Sequence, residues 1–375
     1  MADAFKNVFS TQLISLMGMH LERVDPGFQR KRFTRLASRQ LDLLELKERS
    51  NQIRSALEST LSANFREACE HLLATLHTGP DFDLSDMGSD EHGIRGWGIM
   101  PMADFVAARG LDDFDFSMGV LRGMTKLSSS EFAVRPFLLH DPERALSHVE
   151  VWTQDKNQHV RRLASEGCRP RLPWGMRLRP FVVDPSPIVP ILESLKDDSA
   201  EYVRRSVANN LNDISKDHPN VVSGIAERWL NGASNNRKRL VNHACRSLIK
   251  SGHKPTLKAL GYRKPKLSVQ SFEVHTPTVV LGDRLAFSLE LMSESASPQP
   301  IIVDFIVHHR KSNGSLSPKV FKLKTLTLPA GQTVKISKNH PMKPITTRSY
   351  YAGQHALEVQ INGESVGQLD FELSV

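Results

Sequence analysis

The chain has 375 residues, too many for one typical domain. Its 39% apolar and 24% charged residues are those of a folded protein, and a net charge of +8 favours nucleic acid or another anion as partner. Three well-separated cysteines, Cys69, Cys168 and Cys245, with no CxxC and no Cys/His pair at zinc spacing, exclude a disulfide framework and a structural zinc site.

No apolar run approaches the roughly 20 residues that span a bilayer. The stretch Met1–Phe9 lacks the apolar core of a signal peptide, so a cytoplasmic protein is expected. From the N-terminus to about Gly261 the periodicity is helical. Ile53, Leu57, Leu61 and Phe65 set a rhythm that Ala68, Cys69, Leu72, Leu73 and Leu76 continue, giving one apolar stripe. Residues 78–93 are polar and acidic and read as a loop. A helix starts around Met100-Pro101, proline being tolerated in a first turn, and Leu111–Asp115 is a turn with helix-start acids. The Pro-rich segments Arg169–Gly175 and Val183–Pro187 interrupt the helices with an ordered loop.

Three stretches read as copies of one basic helix: His159–Glu166, Tyr202–Asn209 and Asn236–His243. Arg161 aligns with Arg204 at a step of 43 residues, and Arg204 with Lys238 at a step of 34, the Pro-rich insertion lengthening the first step. Periods of this size indicate stacked helical repeats, and cations repeated on one face suggest a surface for a polyanion. In the first copy Val160, Leu163, Ala164 and Gly167 point inward, with His159, Arg162, Glu166 and Arg169 on the other face. In the second, Val203, Val207 and Ile214 pack, while Arg205, Asn209 and Asn212 face out with Asp213 at the edge. In the third, Leu240, Ala244 and Leu248 pack, and Arg239, His243, Arg246 and Lys250 form an unbroken cationic stripe suited to phosphates. Solvated helix faces are the plainer alternative.

The carboxylates among these cations bear on chemistry. Glu166 is either an exposed i, i+4 partner of Arg162, worth about 0.3–0.5 kcal/mol, or an acid held ionised inside a cationic groove. Asp213 holds the corresponding edge of the next repeat. Glu131 ends Ser128-x-x-Glu131, the pattern of a capping box, which gives it a structural alternative. Trp152 and Trp229 are expected to pack, whereas Trp174, on the loop beside the Glu166 helix, is open to a cationic ring. The glycines of Gly93–Gly98 have the wrong spacing for a dinucleotide fingerprint, and no HExxH or Ser-His-Asp arrangement is present.

After Tyr262-Arg-Lys-Pro-Lys266 the period changes to two. Runs at 267–274, 284–291, 301–307, 320–328, 332–337, 355–361 and 366–373, separated by Gly-Asp, Asn-Gly and Pro-Ala-Gly turns, predict about seven antiparallel strands. The expected fold class is therefore multidomain α + β: a helical repeat solenoid over 1–262, then an immunoglobulin-like antiparallel β-sandwich over 267–375.

Three motifs carry a family resemblance: Trp97–Asp113, Ser130–Leu138 and Val160–Gly175. They resemble the AlkC family of bacterial alkylpurine DNA glycosylases, and the resemblance extends from Phe5 to about Gly261. It implies a HEAT-like repeat fold with a concave DNA-binding face, some members carrying a C-terminal Ig-like domain. It also implies excision of 3-methyladenine and similar cationic bases without full extrusion of the base. By resemblance the acids near the lesion are Glu131, Glu166 and Asp213, and Arg162, Arg169 and Trp174 complete the site. Arg205, Arg239, His243 and Arg246 are expected on phosphates, as are Arg310 and Lys311 of the sandwich, whose loop could extend a clamp on the duplex unless its lysines merely protect an edge strand. The expected partner is double-stranded DNA bearing alkylated bases, action as a monomer is the default expectation, and no metal or organic cofactor is expected. Two rivals stay open: a non-catalytic solenoid that binds damaged DNA, and a scaffold for acidic protein partners.

Overall fold

The computed structural model describes residues 5–79 and 88–375, and the chain divides into two compact units, 1–217 and 218–375. Of the expected 78–93 loop, residues 80–87 lie outside the described residues. Among the described residues no helix is long and apolar enough to cross a membrane.

The first unit is helical. Its helices are α1 (Thr11–Val24), α2 (Arg30–Ala37), α3 (Leu46–Thr60), α4 (Phe65–Ala74), α5 (Ile99–Arg109), α6 (Phe114–Thr125), α7 (Arg135–His140), α8 (Pro142–Trp152), α9 (Gln158–Gly167), α10 (Arg179–Val183), α11 (Val189–Leu195) and α12 (Glu201–Ile214). Sequence chemistry explains many of their ends. Ser10, Asn64, Asp141 and Asn157 each cap a helix by accepting a backbone N–H of its first turn. The Asn64 cap corrects one expectation: the rhythm from Ile53 to Phe65 is not one helix, because α3 stops at Thr60 and α4 starts afresh after Asn64. No capping box forms at Ser128/Glu131 either; these residues lie in a turn region ahead of α7, and Glu131 accepts from the Ser129 hydroxyl at 2.9 Å.

Repeat character is visible in how α9 and α12 are anchored. Arg161 donates to the carbonyls of Asp155 and Lys156 (2.9 and 3.0 Å), and Arg204 donates to those of Asp198 and Ser199. The first arginine of each basic pair thus ties its helix to the loop before it, which frees the second for other work. The two helices pack directly, with Asn210 Nδ2 donating to the Ser165 carbonyl at 2.8 Å. Val160, Leu163, Val203 and Val207 are fully buried, and Trp152 is a core residue as expected.

The second unit begins with α13 (Pro219–Leu230), α14 (Asn235–Ala244), α15 (Arg246–Lys250) and α16 (Lys254–Ala259). Trp229 is buried here, as are Leu240, Ala244 and Leu248. Strands follow: β1 (Leu267–Val274), β2 (Thr278–Val280), β3 (Arg284–Ser293), β4 (Gln299–Arg310), β5 (Leu316–Leu328), β6 (Thr333–Pro341), β7 (Gly353–Ile361) and β8 (Glu364–Ser374). They form a three-stranded sheet, β1-β3-β6, and a five-stranded sheet, β2-β8-β7-β4-β5, closed on a core that includes Phe287, Phe305, Leu357 and Phe371. One strand departs from the antiparallel expectation: the short β2 runs parallel to β8. The β7–β8 hairpin turns on Asn362 (φ 49°) and Gly363 (φ 76°), the pairing a tight two-residue turn requires. This turn also joins the helical part of its unit to the sandwich. Asn362 Nδ2 donates to the Arg263 carbonyl at 2.8 Å, and Gly363 lies against Gly252 so closely that a Cβ on Gly363 would sit 2.6 Å from the Gly252 Cα.

Candidate active site

Three elements of the first unit bring charge together. On α9, Arg162 and Glu166 stand one turn apart, and Arg169 follows one residue beyond the helix's cap position. On α12, Ser206 and Asp213 are seven residues apart and so share a face. The turn before α7 contributes Ser129 and Glu131.

Their side chains form one continuous network. Arg162 Nη1 donates to Glu131 Oε2 at 2.8 Å and to Ser129 Oγ at 3.2 Å, while its Nη2 lies 3.4 Å from Glu166 Oε1. Arg169 Nη1 donates to the same Glu166 oxygen at 2.6 Å, and its Nε to Asp213 Oδ2 at 2.9 Å. Ser206 Oγ donates to Glu166 Oε2 at 2.5 Å, and Lys216 Nζ approaches Asp213 Oδ1 at 3.2 Å. Tyr202 lies beneath the Arg162 guanidinium, 4.8 Å from its carbon, and His159 packs edge-on against the Tyr202 ring. Glu166 and Asp213 are only 4% and 2% exposed.

Burial by itself would push the Glu166 carboxyl up; Arg162, Arg169 and the Ser206 hydroxyl outweigh it and hold the group below its ordinary value. Burial opposes charge on Arg162 and Arg169 too, and the carboxylates reverse that, Glu131 and Glu166 for the first, Glu166 and Asp213 for the second. The result is a set of fixed, water-poor anions whose positions are set by hydrogen bonds before any ligand arrives. Cysteine chemistry is absent from it: burial pushes the Cys168 thiol up to about 12.

Trp174 stands on the Arg169–Leu178 loop with a left-handed backbone (φ 64°) and 61% of its surface exposed. A bulky residue in that conformation is strained and persists only where surrounding contacts enforce it. Two cations do so. Lys47 donates to the Trp174 carbonyl, and the fully buried Arg135 donates through Nε to the Met176 carbonyl at 2.7 Å. Arg135 Nη1 also donates to the Gly167 carbonyl at 2.8 Å, so one guanidinium links the loop to the end of α9.

Of the residues singled out in the sequence, Glu131, Glu166, Asp213, Arg162 and Arg169 thus form one network, and Trp174 lies on the loop that follows Arg169. Arg205 does not join them; it is exposed and pairs with Glu201 on its own helix at 3.1 Å. Asn212, expected to face out, is buried. Arg239, His243 and Arg246 belong to the second unit, and their stripe is not one helix: α14 ends at Ala244, and Arg246 Nη1 turns back to the His243 carbonyl at 2.6 Å. Arg310 ends β4 with its side chain over Gly353, and Lys311 opens the turn to β5. Ser206, Ser129, Tyr202 and Arg135 were missed. Ser206 had a findable signal, seven residues before Asp213, whereas Arg135 acts across long sequence separations that no local pattern records.

Known proteins share this architecture. Residues 268–375 match the family model described as the C-terminal Ig-like domain of the uncharacterised protein YhaZ. The uncharacterized protein YhaZ of Bacillus subtilis (strain 168) is 37% identical over 379 residues, covering 100% of both chains. The structure of the Pseudomonas fluorescens alkylpurine DNA glycosylase AlkC bound to DNA containing an abasic site analog is 36% identical, with a TM-score of 0.89 and 100% of each chain covered. With both sequence and fold matched from end to end, this chain belongs to the AlkC family of alkylpurine DNA glycosylases.

Proposed function

We propose that the protein is a DNA glycosylase that hydrolyses the N-glycosidic bond of cationic alkylated purines, 3-methyladenine foremost, in duplex DNA, the opening step of base excision repair. The observation that carries this reading is the chain of charge Glu131–Arg162–Glu166–Arg169–Asp213, buried at its last three members, in a fold shared along its whole length with an alkylpurine glycosylase.

A purine methylated at N3 already carries positive charge, so it departs with little help from a general acid. The barrier lies in the positive charge that grows on the sugar as the bond to the base breaks. Carboxylates meet the same demand in glycoside hydrolases, and preorganised charge of this kind is worth several kcal/mol. Both oxygens of Glu166 are occupied by donors, which suits it to an electrostatic role as a fixed anion. Glu131 takes Arg162 and Ser129 on one oxygen, which leaves its other oxygen able to orient the attacking water, while Asp213, held by Arg169 on one oxygen and Lys216 on the other, adds a second fixed anion. Trp174 supplies an exposed aromatic face for the lesion or its sugar. As the family resemblance implies, the base need not leave the stack completely, in contrast to glycosylases that flip their target. The cations of the second unit, among them Arg239, Arg310 and Lys311, hold phosphates.

The substrate's charge is the test. Duplexes carrying 3-methyladenine and duplexes carrying neutral 1,N6-ethenoadenine are compared for base release under single-turnover conditions. Release of the cationic base alone is expected; comparable release of the neutral base would contradict the leaving-group argument.

A further inference from the structure

Beside the charge network lies a cavity of about 600 Å3 between α3 and α5, a volume typical of small-molecule sites. Phe132 and Ala133, which directly follow Glu131, form part of its wall, and Trp174 and Met176 form another. The polar part of the lining is Lys47, Asn51 and Arg54 of α3 and Asp104 of α5, the acid among them. Its carboxyl has a single hydrogen bond, from Ser50 Oγ at 3.3 Å, and no ion pair among the described residues. The two cations nearby are engaged elsewhere, Arg54 with Glu58 at 2.5 Å and Lys47 with the Trp174 carbonyl. Burial pushes the Asp104 carboxyl up to about 6, so near neutral pH both its forms are within reach.

A half-buried carboxyl that keeps a single long hydrogen bond has acceptor capacity left for a ligand in the cavity. In its protonated form the acid can accept from an amino group and donate to a ring nitrogen side by side, which is the pattern on an adenine edge; as the carboxylate it only accepts, which suits a cationic purine. Flat aromatic and thioether walls suit the faces of the same ring. We propose that this cavity is a purine-base pocket with Asp104 as its polar anchor. The proposal rests on the glycosylase reading only for where the base comes from: either the base just released beside Glu131, or a base still on its strand.

The test uses the full chain and two probes, free 3-methyladenine and a duplex with one unpaired adenine. Saturable binding of the free base is expected by equilibrium dialysis, weakened at least tenfold by Asp104→Ala and equally by Ala108→Trp, which fills the cavity from its exposed rim. Parallel circular dichroism melts establish that both variants fold. If the released base is the occupant, added free base inhibits multiple turnover by the parent protein but not by D104A, while single-turnover release is unchanged. If the occupant is still on the strand, D104A and A108W lose affinity for the unpaired-adenine duplex instead. Two folded variants that change neither free-base binding nor affinity for that duplex would overturn the pocket. Neither binding measurement needs base excision, so failure of the glycosylase reading and failure of this one are separable.

Discussion

Glu166 is charged where burial would favour its neutral form, and Arg169 is central to that outcome because it touches Glu166 and Asp213 at once. Replacing it leaves two buried carboxylates short of their partner, so Arg169→Ala should cost about 3–5 kcal/mol in urea unfolding. The sign with pH is fixed by the same group. A carboxyl lowered below its ordinary 4.5 contributes stability that is complete at neutral pH and is lost only as pH falls through the lowered value. Arg135 belongs to this scale as a positioning residue, since it holds the Trp174 loop against the end of α9. Arg135→Lys keeps the charge but cannot reach both carbonyls in the fork geometry; KM for alkylated duplex should rise more than kcat falls, and an unchanged KM would remove the loop from binding. How much of this was legible follows from spacing. Glu166 stands at i, i+4 from Arg162, and Asp213 at the matching edge of the next repeat, so helical geometry put them among the cations, and the family resemblance singled them out as the acids of the site. Ser206 and Arg135 stayed hidden because a serine in a helix and an arginine in a motif look the same whether or not they reach across the fold.

At the scale of elements, the helices and strands followed their periodicities, and the departures have local causes. An asparagine cap split the Ile53–Phe65 rhythm, and the chain breaks between α14 and α15 at Cys245, where the arginine after it bonds back to His243. The parallel strand β2 had no signal, being three residues long and paired by virtue of its neighbour. The β7–β8 turn offers a sharp test of element-level packing. Gly363→Ala introduces a Cβ both at φ 76° and within 2.6 Å of the Gly252 backbone, and should lower stability by about 1–3 kcal/mol. Gly331→Ala, at φ 62° with nothing within 4 Å of the new Cβ, should cost clearly less. Equal denaturation midpoints for the two variants would show that the contact between Gly252 and Gly363 carries no energy.

At the scale of the whole molecule, the change from helical to alternating periodicity was visible near Lys266, and strands do begin at Leu267. The compact units divide earlier, after Asp217, because α13–α16 pack into one body with the sandwich through residues such as Asn362 and Gly252, pairings between distant segments that no periodicity encodes. The charge network lies entirely within the first unit, and it is there that the central claim is decided. That claim is that fixed carboxylates stabilise a sugar turning cationic. The direct measurement is single-turnover release of 3-methyladenine from methylated duplex by the parent and by Glu166→Gln, with duplex affinity measured alongside. We predict a fall of about 100-fold or more in release with little change in affinity; release within a factor of about two of the parent, well short of the loss expected for a preorganised charge, would contradict it.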